Sequence, residues 1–329
     1  MGFEVVGLGL NATDVAIEVS VFPRFNSKVE LSTAGWQAGG QVATAMVVCQ
    51  RLGLRAKYIG RVGSDAMGRF QLESLRPEGI DIEDVRVVPD CPNQAAYLII
   101  EQRSGERTIL WHRDPRLTLR PEELRREMIA GARLLHVDGH DTAAAAQAAR
   151  WAREAGTLVT ADVDNIYPGL EALLAATDYL ISSGSFPAAY TGEAELFPGL
   201  EKIRRRHPRM KLVAATLGRD GVIALENDRF LYQQAYAVRC RDTTGAGDVF
   251  HGAFIYGLLQ GWATARILDF SNAMAALNCQ ALGARGGIAT RAEAEGLMAS
   301  GARHARRWTE LPRPLWAGGA GTVQRGVEG

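Results

Sequence analysis

Arg133-Leu-Leu-His-Val-Asp138, Thr157-Leu-Val-Thr-Ala-Asp-Val163, Asp178-Tyr-Leu-Ile-Ser182 and Lys211-Leu-Val-Ala-Ala-Thr216 are four short, mostly apolar runs separated by helical patterns. The spacing predicts helices over 121–130, 141–155, 168–176 and 197–207, each leading into one of these strands. Short apolar strands that alternate with helices argue for a parallel sheet covered on both faces. In such sheets ligands bind at the carboxyl ends of the strands.

Toward the N-terminus the pattern changes. Phe3-Glu-Val-Val-Gly-Leu-Gly9 reads as another buried strand. Residues 14–36 alternate apolar and polar, which predicts two strands around a turn at Pro23 to Ser27. An apolar helix over 41–52 follows Gly39-Gly40, then a strand at Lys57-Tyr-Ile-Gly60 and a helix from Ser64 to Leu75. Ala95-Ala-Tyr-Leu-Ile-Ile100 and Arg107-Thr-Ile-Leu-Trp-His112, around a turn at Ser104-Gly105, form a second β excursion. The excursions over 15–36 and 95–112 are too β-rich to be crossovers, and they are expected to pair as a lid over the sheet edge. The expected architecture is a three-layer α/β/α sandwich with a mainly parallel sheet and a small β lid. One domain is expected over 1–305, with a loosely ordered tail over 306–329, where Pro312, Pro314 and Ala317-Gly-Gly-Ala-Gly321 gather.

The stretch richest in chemistry is Arg241-Asp-Thr-Thr-Gly-Ala-Gly-Asp-Val-Phe250, with an apolar helical run after it. Gly245, Ala246 and Gly247 at a helix start let backbone N–H groups approach an anion, and the helix dipole adds positive charge there. Asp248 then falls in the first turn. A carboxylate beside an anion site is poorly explained by anion binding, since like charges repel. It is well explained as the base that takes a proton from an attacking hydroxyl.

Asp242-Thr-Thr-Gly-Ala-Gly-Asp248 resembles the signature of the ribokinase-like (PfkB) carbohydrate kinases, and the resemblance runs over about residues 3 to 300. It implies transfer of the γ-phosphoryl group of ATP to a sugar hydroxyl, with Gly245, Ala246 and Gly247 as the anion hole and Asp248 as the base. A second matching stretch is Gly39-Gly-Gln-Val-Ala-Thr-Ala45, followed by Ile59-Gly-Arg-Val-Gly-Ser-Asp-Ala-Met-Gly68. It resembles the double-glycine signature of the family and implies that Gly39, Gly40, Gln41 and Thr44 meet the sugar. Many members carry Asn where Thr44 stands. Asp14 matches the sugar-binding Asp of the family.

Thr216-Leu-Gly-Arg-Asp-Gly221 matches a T-x-G-x-x-G segment that lines the nucleotide in the family, so Thr216, Gly218 and Gly221 are nucleotide candidates. The resemblance adds Thr244, Asn272 and Ala275. It also implies Mg2+, and K+ beside Asp242 and Thr244. The family usually carries N-x-x-E after strand 178–182. Ser183-Gly-Ser-Phe186 stands there instead, a departure that ketohexokinases and sulfofructose kinases share. Asp162 and Asp164 either supply the outer shell of the magnesium or cap the following segment. Arg107 is either a lid cation near phosphate or substrate, or a plain surface arginine. Lys28, in a chain whose other lysines are Lys57, Lys202 and Lys211, either resembles a lysine that sulfofructose kinases direct at the anionic end of their substrate or is a solvated edge-strand lysine of the kind that blocks aggregation. Gly139 lies near where those enzymes place an arginine. These segments point to a ketose or ketose derivative. A nucleoside kinase of the same family and a catalytically silent sugar- or nucleotide-binding protein are the other readings.

The remaining composition excludes more than it assigns. A formal net charge of zero lacks the basic excess of a non-specific nucleic-acid binder. No apolar run of about 18 residues suggests a membrane span. Met1-Gly-Phe-Glu-Val-Val6 has no basic segment of the secretory kind, and four scattered cysteines form no C-x-x-C, so a cytoplasmic protein is expected. Gly7-Leu-Gly-Leu-Asn-Ala12 fits a dinucleotide fingerprint, but a strand rather than the required helix is expected after it. The exposed edges and apolar residues of a lid predict a homodimer joined through it.

Overall fold

The computed structural model describes residues 2–103 and 107–312. In chain order the elements are β1 (Val5–Leu8), β2 (Ala12–Val19), β3 (Leu31–Gly39), α1 (Gln41–Arg51), β4 (Ala56–Gly63), α2 (Ala66–Leu75), β5 (Val85–Val88), β6 (Ala95–Glu101) and β7 (Arg107–His112). There follow β8 (Leu134–Asp138), α3 (Thr142–Glu154), β9 (Leu158–Val163), α4 (Leu170–Leu174), β10 (Tyr179–Ser183), α5 (Phe186–Thr191), α6 (Leu196–Arg206), β11 (Leu212–Thr216), β12 (Val222–Glu226) and β13 (Arg229–Gln233). The chain then runs through α7 (Ala246–Leu259), α8 (Thr264–Asn278) and α9 (Arg291–Ser300).

The main sheet has nine strands in the order β13-β12-β11-β10-β9-β8-β1-β4-β5. It is parallel from β11 through β5, and the β12–β13 hairpin adds two antiparallel strands at one edge. The alternation of strand and helix thus produces the expected mostly parallel sheet. Apolar helix faces cover both sides. Ala144, Ala148, Leu200 and Ile203 pack on Leu135, Val137 and Val159. On the opposite face Val42, Met46, Ala253 and Met274 pack with Val5, Tyr58 and Leu134. Gly252 lets α7 lie hard against α1, for a Cβ there would stand 2.5 Å from Val48 Cβ.

The second sheet, in the order β3-β2-β6-β7, is the lid. Both excursions contribute to it, and β2 pairs with β6 in parallel. Strand β2 follows Gly7–Ala12 directly, which removes the helix that a dinucleotide site requires. The turn expected at Ser104-Gly105 lies outside the described residues.

The helix expected over 121–130 is not present. Two 3-10 turns, Pro121–Glu123 and Arg126–Met128, take its place. Leu124 between them is extended, with φ −87° and ψ 149°, so its side chain joins Leu119, Met128 and Ile129 in the core. Glu123 is drawn to Arg61 and to the Arg120 N–H. Ordered packing also continues past 305, because Trp308 meets Phe197 and Tyr232 edge-on and Leu311 packs on the same core. Residues 313–329 of the expected tail lie outside the described residues.

Candidate active site

Residues 242–248 turn from the sheet into α7 at a point that demands glycine. Gly245 has φ 74°, and a Cβ there would stand 2.4 Å from the Ala284 carbonyl oxygen. Buried Asp242 braces the turn. Its Oδ1 accepts from the Thr244 N–H at 2.9 Å and hydroxyl at 2.7 Å, and its Oδ2 accepts from the Gly283 N–H at 2.8 Å. Asn278 donates to the carbonyls of Thr244 and Ala284, closing the brace from α8.

At the start of α7, the N–H of Ala246 bonds to Thr243 and that of Val249 to Gly245. Among the described residues the N–H groups of Gly247 and Asp248 have no acceptor. Nothing lies within 4 Å of where a Gly247 Cβ would sit, so the approach is open. Two free donors at the positive end of a 14-residue helix are suited to an anion. The carboxyl of Asp248 stands beside them, half-buried. Its pKa is raised to about 7, first by burial and then by repulsion from Asp162, with His251 and Arg285 opposing.

A second wall of the candidate site is built from β2, β3 and α1. Gly40, with φ 94°, has no room for a side chain, since its Cβ would meet Asn11 Cα at 2.3 Å. Gly39 lies under Asp14, whose Oδ2 would be 2.2 Å from a Gly39 Cβ. Asp14 is buried and its pKa is raised to about 7, first by burial and then by repulsion from Asp248, with Arg285 opposing, so the two carboxyls lie near enough to feel each other. Gln41 lies near Asp162, and its buried Oε1 has no partner among the described residues. Asp162 is buried and faces His251 Nε2 at 3.2 Å; burial pushes its carboxyl up, but the charge and hydrogen bond of His251 outweigh it and hold the carboxyl below the usual range. Thr44 is fully buried and accepts a bond from Arg285.

The lid latches onto the α7 loop. Arg107 Nη1 donates to the Thr243 hydroxyl, and Arg241 pairs with Glu18 of β2 at 3.3 Å. Arg107 is therefore a lid-to-loop tie beside the anion site rather than a free surface cation. Trp111 meets His140 edge-on, and His140 packs on Tyr167 with centroids 4.9 Å apart. Tyr167 also fills the space in front of Gly139, where a Cβ would be 2.7 Å from the ring. Lys28 stands exposed on the β2–β3 turn, and no hydrogen bond or ion pair links it to the cleft among the described residues.

Across the cleft, Thr216 ends β11 and donates to the Ser182 carbonyl. Gly218 and Gly221 take φ 58° and 92° in the turn that follows, and a Cβ on Gly221 would strike the Gln233 carbonyl at 2.0 Å. Asn272 of α8 donates to the carbonyls of Gln233 and Gln234, so its amide nitrogen is committed to the wall, and Ala275 packs one turn on. Asp164 is exposed at the end of β9, next to Ser183, which donates to its carbonyl at 3.4 Å. No group of three or more His, Cys, Asp or Glu suited to a metal occurs among the described residues. A hard cation held by one or two carboxylates, waters and phosphate oxygens needs no such group, and Asp162 and Asp164 offer oxygen donors of that kind.

Sequence reasoning passed over Arg285 as a site residue, and it left His251, one turn past Asp248, as equally a helix-packing residue. Arg285 donates to Thr44, Ser74 and the Gly39 carbonyl, joining the α8–α9 loop to the double-glycine turn. Its one sequence signal is a lone cation in Gly283-Ala-Arg-Gly-Gly287.

No helix among the described residues is long and apolar enough to cross a membrane. The family described as pfkB family carbohydrate kinase matches residues 4–291. An ATP-dependent ribose-1-phosphate kinase of Halopiger xanaduensis is 28% identical over 279 residues, covering 83% of this chain and 90% of its own. Fructokinase-1 of Oryza sativa subsp. japonica is 28% identical over 287 residues, with 80% and 88% covered. An Agrobacterium tumefaciens protein assigned as a ribokinase superposes with a TM-score of 0.84 at 30% identity, covering 91% of this chain and 98% of its own. An E. coli protein assigned as ribokinase II, solved with ATP and Mg2+, shares the fold with a TM-score of 0.78 at 22% identity, with 90% and 99% covered. The match to the family spans most of the sequence, and the chain belongs to the pfkB family of carbohydrate kinases, phosphotransferases whose acceptor is an alcohol group.

Proposed function

We propose that the protein transfers the γ-phosphoryl group of ATP to a hydroxyl of a ketose or ketose derivative. The observation that carries the reading is the pairing of two free N–H donors, on Gly247 and Asp248, with the Asp248 carboxyl at the same helix start. The donors stabilise charge on the phosphoryl group in flight, and the α7 dipole adds to them. Asp248 accepts the proton of the attacking hydroxyl at its carboxylate oxygen. Asp14 accepts bonds from neighbouring sugar hydroxyls, and the Gly39-Gly40 turn lets the ring approach the backbone. Thr216, Gly218, Gly221, Asn272 and Ala275 form the nucleotide wall. When bound, Mg2+ neutralises phosphate charge, and Asp162 and Asp164 would hold its waters. K+ beside Asp242 and Thr244 belongs to the same reading. Fructokinases among the relatives support a ketose acceptor. An ATP-consumption screen over ketoses, aldoses, sugar acids and nucleosides tests this, and a preference for ribose or adenosine would sink the ketose assignment.

The same reading includes a homodimer through the lid. Register sets Trp36, Val15, Tyr97 and Leu110 in one row across the sheet. Trp36, Tyr97 and Leu110 are 43%, 43% and 57% exposed, while Ala16, Leu98 and Ile100 on the other face are buried. A solvent-facing apolar row on a four-stranded sheet suits a second copy of itself. Light scattering at micromolar concentration is expected to give twice the chain mass, and Tyr97→Arg to give a monomer. A fully active wild-type monomer would remove the dimer from the account.

A further inference from the structure

Arg285 is held by three elements at once. Its guanidinium donates to the Thr44 hydroxyl at 3.2 Å, the Ser74 hydroxyl at 3.0 Å and the Gly39 carbonyl at 2.9 Å. All three acceptors are neutral. A guanidinium has five N–H groups, so two remain. Two other arginines drawn into the fold meet carboxylates, Arg113 with Asp141 at 2.8 Å and Arg61 with Glu123, whereas Arg107 of the lid meets the Thr243 hydroxyl. Arg285 has no carboxylate within 4.0 Å among the described residues, although it is half-buried. An inward-facing cation without a carboxylate in contact is costly to the fold, and one fixed in position by three bonds is poised for a partner that arrives from outside.

The place of that partner follows from its neighbours. Gly39 is shared: its carbonyl takes the guanidinium, and its missing side chain leaves room for Asp14. Arg285 also feels the charges of Asp14 and Asp248, the two carboxyls of the cleft. A ligand there meets carboxylates that attract hydroxyls and repel anions, and one guanidinium that does the reverse. Resting on the kinase reading above, we propose that Arg285 reads the substrate and that the natural acceptor carries an anionic group, a carboxylate or a phosphate, turned toward Arg285 while its hydroxyls face Asp14 and Asp248. Bidentate N–H pairs suit either oxyanion.

The test compares wild type, Arg285→Gln and Arg285→Lys on fructose, fructose 6-phosphate and 2-ketogluconate. Two readouts are taken: kcat/KM with ATP, and the rise in melting temperature on adding each sugar without ATP. Wild type is expected to favour one of the two anionic sugars over fructose, which also separates phosphate from carboxylate. Arg285→Gln should lose at least about tenfold more on that sugar than on fructose. Arg285→Lys, which keeps the charge, should retain part of the preference. A wild-type preference for fructose, or equal losses on all three sugars, overturns the proposal while leaving the kinase reading intact. If no sugar is phosphorylated the kinase reading falls, and Arg285 is then judged on the melting shifts alone. If Arg285→Gln does not fold, the wild-type ranking and the Lys variant decide.

Discussion

Asp248→Asn is expected to fold normally, bind ATP and lose at least about 10²-fold in kcat, the lower range for removal of a general base. The side chain keeps its shape and loses its ability to take a proton. The wild-type rate should fall with acid below about pH 7, because Asp248 and Asp14 both titrate near there and must be ionised to act. The same substitution should raise stability in alkaline solution. The folded-state pKa of Asp248 lies above its ordinary value of 3.8, since burial and Asp162 oppose its charge. Its contribution to stability is therefore complete at low pH and is lost as pH rises through about 7. Asn has no such loss, so the variant should melt above wild type at pH 8, and the difference should close toward pH 4. Near-normal turnover by the pure variant would remove Asp248 as the base.

The second large effect is expected at Gly245→Ala. A residue with a Cβ at φ 74° meets a backbone cost of about 1–2 kcal/mol. Here the Cβ also faces the Ala284 carbonyl at 2.4 Å, between rigid backbone segments, so the loop must shift. That shift moves the free N–H groups of Gly247 and Asp248 away from the phosphoryl group. Removal of one such donor costs about 10²-fold in kcat where it has been measured in other enzymes, and a loss of that order is expected. Sugar binding, which the proposed function assigns to β2, β3 and α1, should hold. Steady-state kinetics separate the two, and a variant with unchanged kcat and a raised KM for sugar would contradict the assignment of the anion site.

What the sequence made legible follows from locality. The strands at Leu134–Asp138, Leu158–Val163, Tyr179–Ser183 and Leu212–Thr216 are largely buried on both faces, so each is a mostly apolar run that stands out from its helices. The lid showed itself through period-two alternation. Pro121 to Ala130 misled because Leu124, Met128 and Ile129 are spaced as on a helix, yet they reach the core from two short turns. The β12–β13 hairpin turns on Asn227 and Asp228, both at positive φ, a signal present in the sequence that marked a turn without placing it on the sheet edge. The glycines and Asp248 were legible because one short string encodes them. Arg285 was not, since its partners Thr44 and Gly39 lie more than 240 positions away. The pairing of Asp162 with His251 is hidden for the same reason.

The central claim is that the Asp248 carboxyl and the α7 N-terminus together move a phosphoryl group onto a sugar hydroxyl. The direct measurement is phosphorus NMR of the purified protein with MgATP and each sugar of the panel, run beside Asp248→Asn. The account predicts ADP and a sugar phosphomonoester in equal amounts, with inorganic phosphate near background, and almost no ester from the variant. ATP converted to ADP and free phosphate without ester, or the same ester yield from Asp248→Asn, would contradict it.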